Sequence, residues 1–159
     1  MMKMIQESDL PWIEGGSPKG RFHVFCRTIS EALGAPRHAG VAGGGHPFEV
    51  TLARIPVGAI NYPFHSHAAQ WELYLVLSGT GEVRGPQEVK PIGPGDAFMF
   101  PPGEAHQLRN IGTKDLVYYV IADNPPADIV HYPDSNKWLV RPPRQIFTMT
   151  PAEYYDGEE

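Results

Sequence analysis

The 159-residue sequence has a single cysteine, Cys26, so no intrachain disulfide can form and no cysteine-based zinc site can be assembled. Charge of one sign is also scarce: 13 Lys and Arg against 18 Asp and Glu give a net charge of −5, and the only like-charged run is the terminal Asp156-Gly157-Glu158-Glu159. This is the reverse of the basic footprint that a phosphate backbone requires, so no nucleic-acid partner is expected. No stretch approaches the ~20 apolar residues of a membrane-spanning helix. The residues from Met1 to Glu7 lack the apolar core of a signal peptide. A soluble, cytoplasmic protein with no membrane partner is the expectation.

Turn-forming residues are abundant. Seventeen Gly and 17 Pro disfavour long helices, whose interiors tolerate neither, and favour short strands joined by tight turns. The length fits one domain. Residues 1–47 read as an irregular N-terminal extension packing on the core, with one short helix signalled by Thr28-Ile29-Ser30-Glu31 and ended by Gly34 and Pro36. Residues 48–123 read as an all-β core. Strand-like runs cover 48–55, 62–67, 72–77, 82–83, 97–100, 106–109 and 116–121, separated by Gly and Pro turns at the spacing of a sandwich or barrel. Residues 124–159 read as a loop-like C-terminal extension with one strand near Trp138 to Val140. Thr150, Pro151 and Glu153 there signal a short terminal helix to Tyr155.

Three of the seven histidines form a pattern. His65 and His67 are two apart in a predicted strand, so both rings point to one face. Glu72 opens the apolar run Leu73 to Leu77, where a buried carboxylate needs a positive partner. His106 follows the turn Pro101-Pro102-Gly103, which can return the chain antiparallel to the same floor. Three imidazoles and one carboxylate suit a single divalent transition metal (Zn, Fe, Mn, Ni or Co) and leave coordination positions open. His23, His38, His46 and His131 are isolated and read as surface or hydrogen-bonded residues.

The same residues lie in two spaced motifs. The first runs from Gly58 through His65, His67 and Glu72 to Gly79; the second runs from Gly95-Asp96 through Pro101, Gly103 and His106 to Asn110. Over about residues 50–122 the sequence resembles the cupin superfamily, departing only in the six residues, rather than five, between Gly58 and His65. The resemblance implies a jelly-roll (double-stranded β-helix) barrel with short peripheral helices. It also implies His65, His67, Glu72 and His106 as metal ligands, Gly79, Gly95 and Gly103 as turn residues, and a homodimer. The chain is further similar to small bacterial cupins described as sugar-phosphate isomerases.

With one carboxylate, a divalent ion leaves a first shell of about +1, suited to an anionic or sugar-like small molecule. Isomerase or epimerase chemistry is the expected activity. The alternatives are an iron-dependent dioxygenase of a small organic acid or diketone, and a non-catalytic sugar-binding protein. Alternation places Tyr74 and Leu108 inside the barrel and turns Arg109 away. Tyr74 is the candidate catalytic acid or hydrogen-bond donor, and no base is identifiable. Arg54, Tyr62 and Lys137 are the remaining candidates for an anion anchor. Phe98 and Phe100, two apart on one face, are expected to line an apolar pocket beside the metal.

Overall fold

A computed structural model describes residues 2–37 and 39–159. The strands are β1 Ile13–Gly16, β2 His23–Thr28, β3 Phe48–Ile55, β4 Ser66–His67, β5 Glu72–Ser78, β6 Gly81–Arg84, β7 Val89–Ile92, β8 Ala97–Phe100, β9 Gln107–Arg109, β10 Leu116–Asp123, β11 Asp128–Tyr132, β12 Lys137–Arg141 and β13 Gln145–Phe147. One sheet has the order β1-β2-β3-β10-β5-β8. Facing it are the ribbons β13-β12-β11-β4 and β7-β6-β9, joined by an antiparallel bridge from His65, beside β4, to His106, beside β9; a second bridge ties Ile60 to Arg109 of β9. All the ladder pairings are antiparallel, and the two layers form a jelly-roll barrel.

The core follows from period-two alternation. Ile55 of β3, Val76 of β5, Val83 of β6, Ile92 of β7, Leu108 of β9 and Leu116 of β10 plug one end of the barrel, all buried. Farther along the same inward faces the residues become more polar: Thr51, Tyr74 and Glu72. The barrel is therefore solid at one end and open at the other.

The N-terminal extension is more regular than its sequence indicates. Its strands β1 and β2 extend the six-stranded sheet beyond β3, so this segment is part of the barrel wall and not an irregular cover. The alternation of β2 is obscured because its outward residues are not simply polar. Arg27 and Arg54 lie over the Trp12 ring, Arg54 also lies over Phe25, and Arg27 pairs with Glu7 at 2.7 Å. The expected helix is present as α1, Ile29–Ala32, but without a capping box. Thr28 Oγ1 donates to the Glu31 carboxylate at 3.4 Å, and no side chain caps the backbone.

The C-terminal extension also departs from expectation. Three strands replace the single one, and residues 150–155 form no helix: turns occupy 154–158, held by Asp156 accepting from the Glu153 amide. Every residue from Thr150 on is exposed, so this stretch has no apolar face to bury, and a helix of so few residues does not persist on propensity alone. No helix among the described residues is long and apolar enough to cross a membrane.

Gly79, Gly95 and Gly103 all have positive φ, as expected of turn residues. Their surroundings differ. A Cβ at Gly79 would collide with the Asp115 carbonyl, whereas nothing lies within 4 Å at Gly95 or Gly103. Gly95→Ala should therefore cost only the left-handed backbone, about 1 kcal/mol. Gly79→Ala adds an overpacking term and should cost about 3 kcal/mol or more. Urea midpoints at constant slope measure both, and equal shifts would show that the Gly79 turn yields to the added methyl.

Candidate metal centre

Strand geometry brings the four predicted residues to the open end of the barrel. His65 and His106 face each other across the bridge that joins the two ribbons, their backbones exchanging hydrogen bonds of 3.2 and 2.8 Å. His67 comes in from β4 beside them, and Glu72 enters from the opposite sheet at the start of β5. His106 is 1% exposed and its ring stacks on Phe100, with centroids 4.0 Å apart and planes at 6°.

Each imidazole is oriented from behind. His65 Nδ1 lies 2.8 Å from the Pro63 carbonyl, and His106 Nδ1 lies 3.2 Å from the Glu104 carbonyl. A carbonyl oxygen only accepts, so both Nδ1 atoms carry the proton. His67 Nδ1 donates to the Asp128 carboxylate at 2.6 Å. In all three rings Nε2 is left as the atom that can serve as a ligand.

These nitrogens meet Glu72. Its Oε2 lies 2.7 Å from His106 Nε2, its Oε1 lies 3.7 Å from His67 Nε2, and the Tyr74 hydroxyl donates to Oε2 at 3.0 Å. A 2.7 Å contact between a carboxylate oxygen and a ring nitrogen needs a cation between them, and the His106 proton is already committed to Glu104. Either a second proton or a metal ion satisfies it, so the donor set fits a divalent cation. Ligand atoms of His65, Glu72 and His106 lie within 4.8 Å of one another. His67 stands just outside that set, although it reaches Glu72.

Electrostatics prepare the site for a cation. Burial alone would raise the Glu72 carboxyl, but the bonded His106 ring, with His67 and His65, outweighs burial and holds it at about 2. Burial, reinforced by repulsion from His106, lowers His65 to about 4, which keeps it neutral and ready to coordinate. Burial pushes the Tyr74 hydroxyl well above its usual value, and the neighbouring Glu72 charge adds to this, so it remains a donor.

Sequence reasoning missed the residues behind His67. Asp128 opens β11 and is 4% exposed. Burial raises its carboxyl, but hydrogen bonds from His67, Arg141 and the Ala69 amide hold it well below the ordinary carboxylate range. Arg141 of β12, paired with Asp128 in register, donates to it at 2.8 Å and to Gln70 Oε1 at 3.2 Å. The signal for this group was hidden by inverted polarity: in Asp128-Ile129-Val130 the acid points inward and the isoleucine outward.

A cavity of about 410 Å³ opens over the centre, lined by His65, His67, Glu72 and Tyr74 together with Glu49, Tyr62 and Arg141. Of the three candidate anion anchors, only Tyr62 lines it. Arg54 pairs with Asp115 at 3.3 Å on the outer face, and Lys137 lies over the Tyr132 ring. Phe98 and Phe100 stack around Tyr74 and His106 but line a separate cavity, correcting their expected place in the metal pocket. Leu108 is buried and Arg109 turns outward, as alternation required. The isolated histidines also behave as read: His23 pairs with Glu14 at 2.8 Å, His46 lies near Phe48, and His131 stacks on Trp138. His38 lies outside the described residues.

Comparison with known proteins agrees with this architecture. Residues 51–122 match the family described as Cupin domain. A solved structure from Acidithiobacillus ferrooxidans, described as a candidate sugar phosphate isomerase, superimposes with a TM-score of 0.76 at 25% identity, covering 92% of each chain. Auxin-binding protein 1 of Arabidopsis thaliana is 33% identical over 110 residues, 61% of this chain and 54% of that protein. The oxalate-binding protein of Thermotoga maritima is 29% identical over 68 residues, 43% of this chain and 55% of that one. The chain thus spans about half the length of these curated relatives. The barrel, the match of residues 51–122 to the Cupin domain and the solved neighbours agree on a cupin-type fold for this chain.

Proposed function

We propose that the chain holds one divalent transition metal ion on His65, His67, Glu72 and His106 and uses it to isomerise or epimerise a small anionic, sugar-like molecule. The observation that carries the metal is the set of three rings, each fixed at Nδ1, whose Nε2 atoms are left to face the largely buried Glu72 carboxylate at the floor of a cavity. The isomerase reading is supported by the Acidithiobacillus neighbour, which matches over nearly the whole of both chains. The organic-acid ligand in the name of the Thermotoga relative is in keeping with an anionic occupant.

Bound there, the ion supplies a Lewis acid for a carbonyl and its neighbouring hydroxyl. Glu72 cancels one of its charges and leaves the site attractive to an anion. Tyr74, protonated and already donating to Glu72, is the candidate hydrogen-bond donor at the cavity wall. Arg141, locked by Asp128 and Gln70, places a guanidinium on the same wall, where an acidic group of the substrate can meet it. The cavity volume suits a molecule of sugar-phosphate size.

Elemental analysis of the purified protein should find about one equivalent of a divalent transition metal, lost in Glu72→Gln and His106→Ala; metal-free wild-type protein that also fails to take up metal would overturn the centre. Asp128→Asn leaves every ligand in place but weakens the hold on His67. Its metal affinity should fall about 10- to 100-fold, and an unchanged affinity would remove Asp128 from the centre.

The reaction class is tested by offering pentose and hexose phosphates to the metal-loaded protein and following interconversion by NMR while recording oxygen. Conversion without oxygen uptake is expected. Substrate-dependent oxygen uptake would assign an oxygenase instead, and tight binding without conversion would assign a binding protein.

A further inference from the structure

The isomerase reading leaves one role unfilled, a group that moves a proton between neighbouring carbons, and the register of the large sheet points to a residue for it. Ala122 of β10 pairs with Glu49 of β3 on one side and with Glu72 of β5 on the other. Residues directly opposite in adjacent strands share a face, so Glu49 and Glu72 stand on the same inner surface with one alanine between them. Two antiparallel steps set their Cα atoms about 10 Å apart. Ala122 has only a methyl group, so the space above it, between the two carboxylates, belongs to the cavity.

Glu49 differs from the other glutamates of that cavity. Glu14 pairs with His23 at 2.8 Å, Glu31 lies 3.8 Å from Arg37, and Glu72 bonds His106 and Tyr74. The Glu49 carboxylate makes no hydrogen bond or ion pair with any described residue. A half-buried carboxylate in a structural role is normally paired, so an unpaired one at a ligand cavity is available to a substrate.

We propose that Glu49 is the catalytic acid–base of this site, an assignment that rests on the isomerase reading above. Its carboxylate takes the proton from the carbon next to the substrate carbonyl. The C–H electron pair forms a carbon–carbon double bond, and the carbonyl pair moves onto oxygen. The carboxylic acid so formed returns its proton to the former carbonyl carbon as the double-bond electrons close on it, and the hydroxyl proton passes between the two oxygens. Substrate and product are isomers, Glu49 is regenerated, and no oxidant or co-reactant enters.

The surroundings strengthen Glu49 as a base. Burial raises its carboxyl first, then repulsion from Glu31 of α1 and Glu72 of β5, against an opposing effect from Arg141 of β12. A carboxylate above its ordinary range is better matched to removing a proton from carbon near neutral pH. Glu49 lies beyond the metal-binding residues, so its loss should leave the metal in place.

Metal-loaded wild type, Glu49→Gln and Glu49→Asp are compared in D2O with ribulose 5-phosphate and fructose 6-phosphate as probes, reading deuterium entry beside the carbonyl. Metal content should be equal in all three. Exchange should fall about 100-fold or more in Glu49→Gln and recover in part in Glu49→Asp, which keeps the carboxylate on a shorter arm. A second readout needs no turnover: glycidol phosphate, an epoxide open to carboxylate attack, should leave one ester on Glu49 in peptide mass mapping and none in Glu49→Gln. Exchange kept within threefold in Glu49→Gln at equal metal content, or an ester placed on another cavity carboxylate, overturns the assignment of Glu49 alone. A wild type that exchanges neither probe overturns the isomerase reading together with it.

Discussion

The Glu72 carboxylate is the constraint on which the rest of the site depends. It is an anion at the head of an apolar strand, facing the inside of a barrel plugged with aliphatic side chains, where an uncompensated charge is costly. Compensation comes from three directions: His106 across the barrel, His67 from the facing ribbon and the Tyr74 hydroxyl on its own strand. Because backbone carbonyls hold the Nδ1 protons of His65 and His106, the charge that completes the arrangement has to arrive between Nε2 and the carboxylate. The site is thus specified as much by hydrogen bonds pointing away from it as by the atoms pointing in.

Asp128 carries the same logic into the C-terminal hairpin. One of its oxygens orients His67 and accepts from Arg141, while the other accepts from the Ala69 amide in the loop leading to β5. A buried carboxylate with this many donors is stabilised as an anion. Its folded-state pKa is lowered, so the stability it contributes is present above the unfolded carboxylate range and lost as pH falls toward its own value. Residues 124–141 are therefore not a passive tail on the cupin domain: they hold one of its histidines and supply a cation to its cavity.

The parts of this arrangement visible in the sequence are those where a side chain's polarity conflicts with its surroundings in a regular way. His65 and His67 alternate in phase, Glu72 interrupts an apolar run, and His106 follows a turn. Gly79, Gly95 and Gly103 mark chain reversals confirmed by positive φ. The missed elements have physical reasons. β7 contains Pro91 and is tolerated because it lies on a sheet edge. β2 hides its period because Phe25 and Arg27 on its outer side are packed against other residues. β11 reads backwards because its acid faces inward. The terminal helix signals at Thr150 and Pro151 were sound local chemistry without a surface to pack against.

Cross-strand register explains why the remaining chemistry could not be read along the chain. Glu49 and Glu72 are far apart in sequence and become neighbours only when β10 is placed between their strands. Nothing in the local pattern of β3 marks Glu49, which sits near its start beside exposed Phe48 and resembles an ordinary solvated strand end. The alignment acquires meaning from Ala122: a larger residue there would fill the space between the carboxylates and make the wall structural. The small residue instead leaves room between Glu72, which is bonded to His106 and Tyr74, and Glu49, whose carboxylate has no hydrogen-bond or ion-pair partner among the described residues. Pairing one carboxylate and leaving its neighbour unpaired among the described residues gives two acids of one type different environments, which is the basis on which the proposed function assigns them different roles.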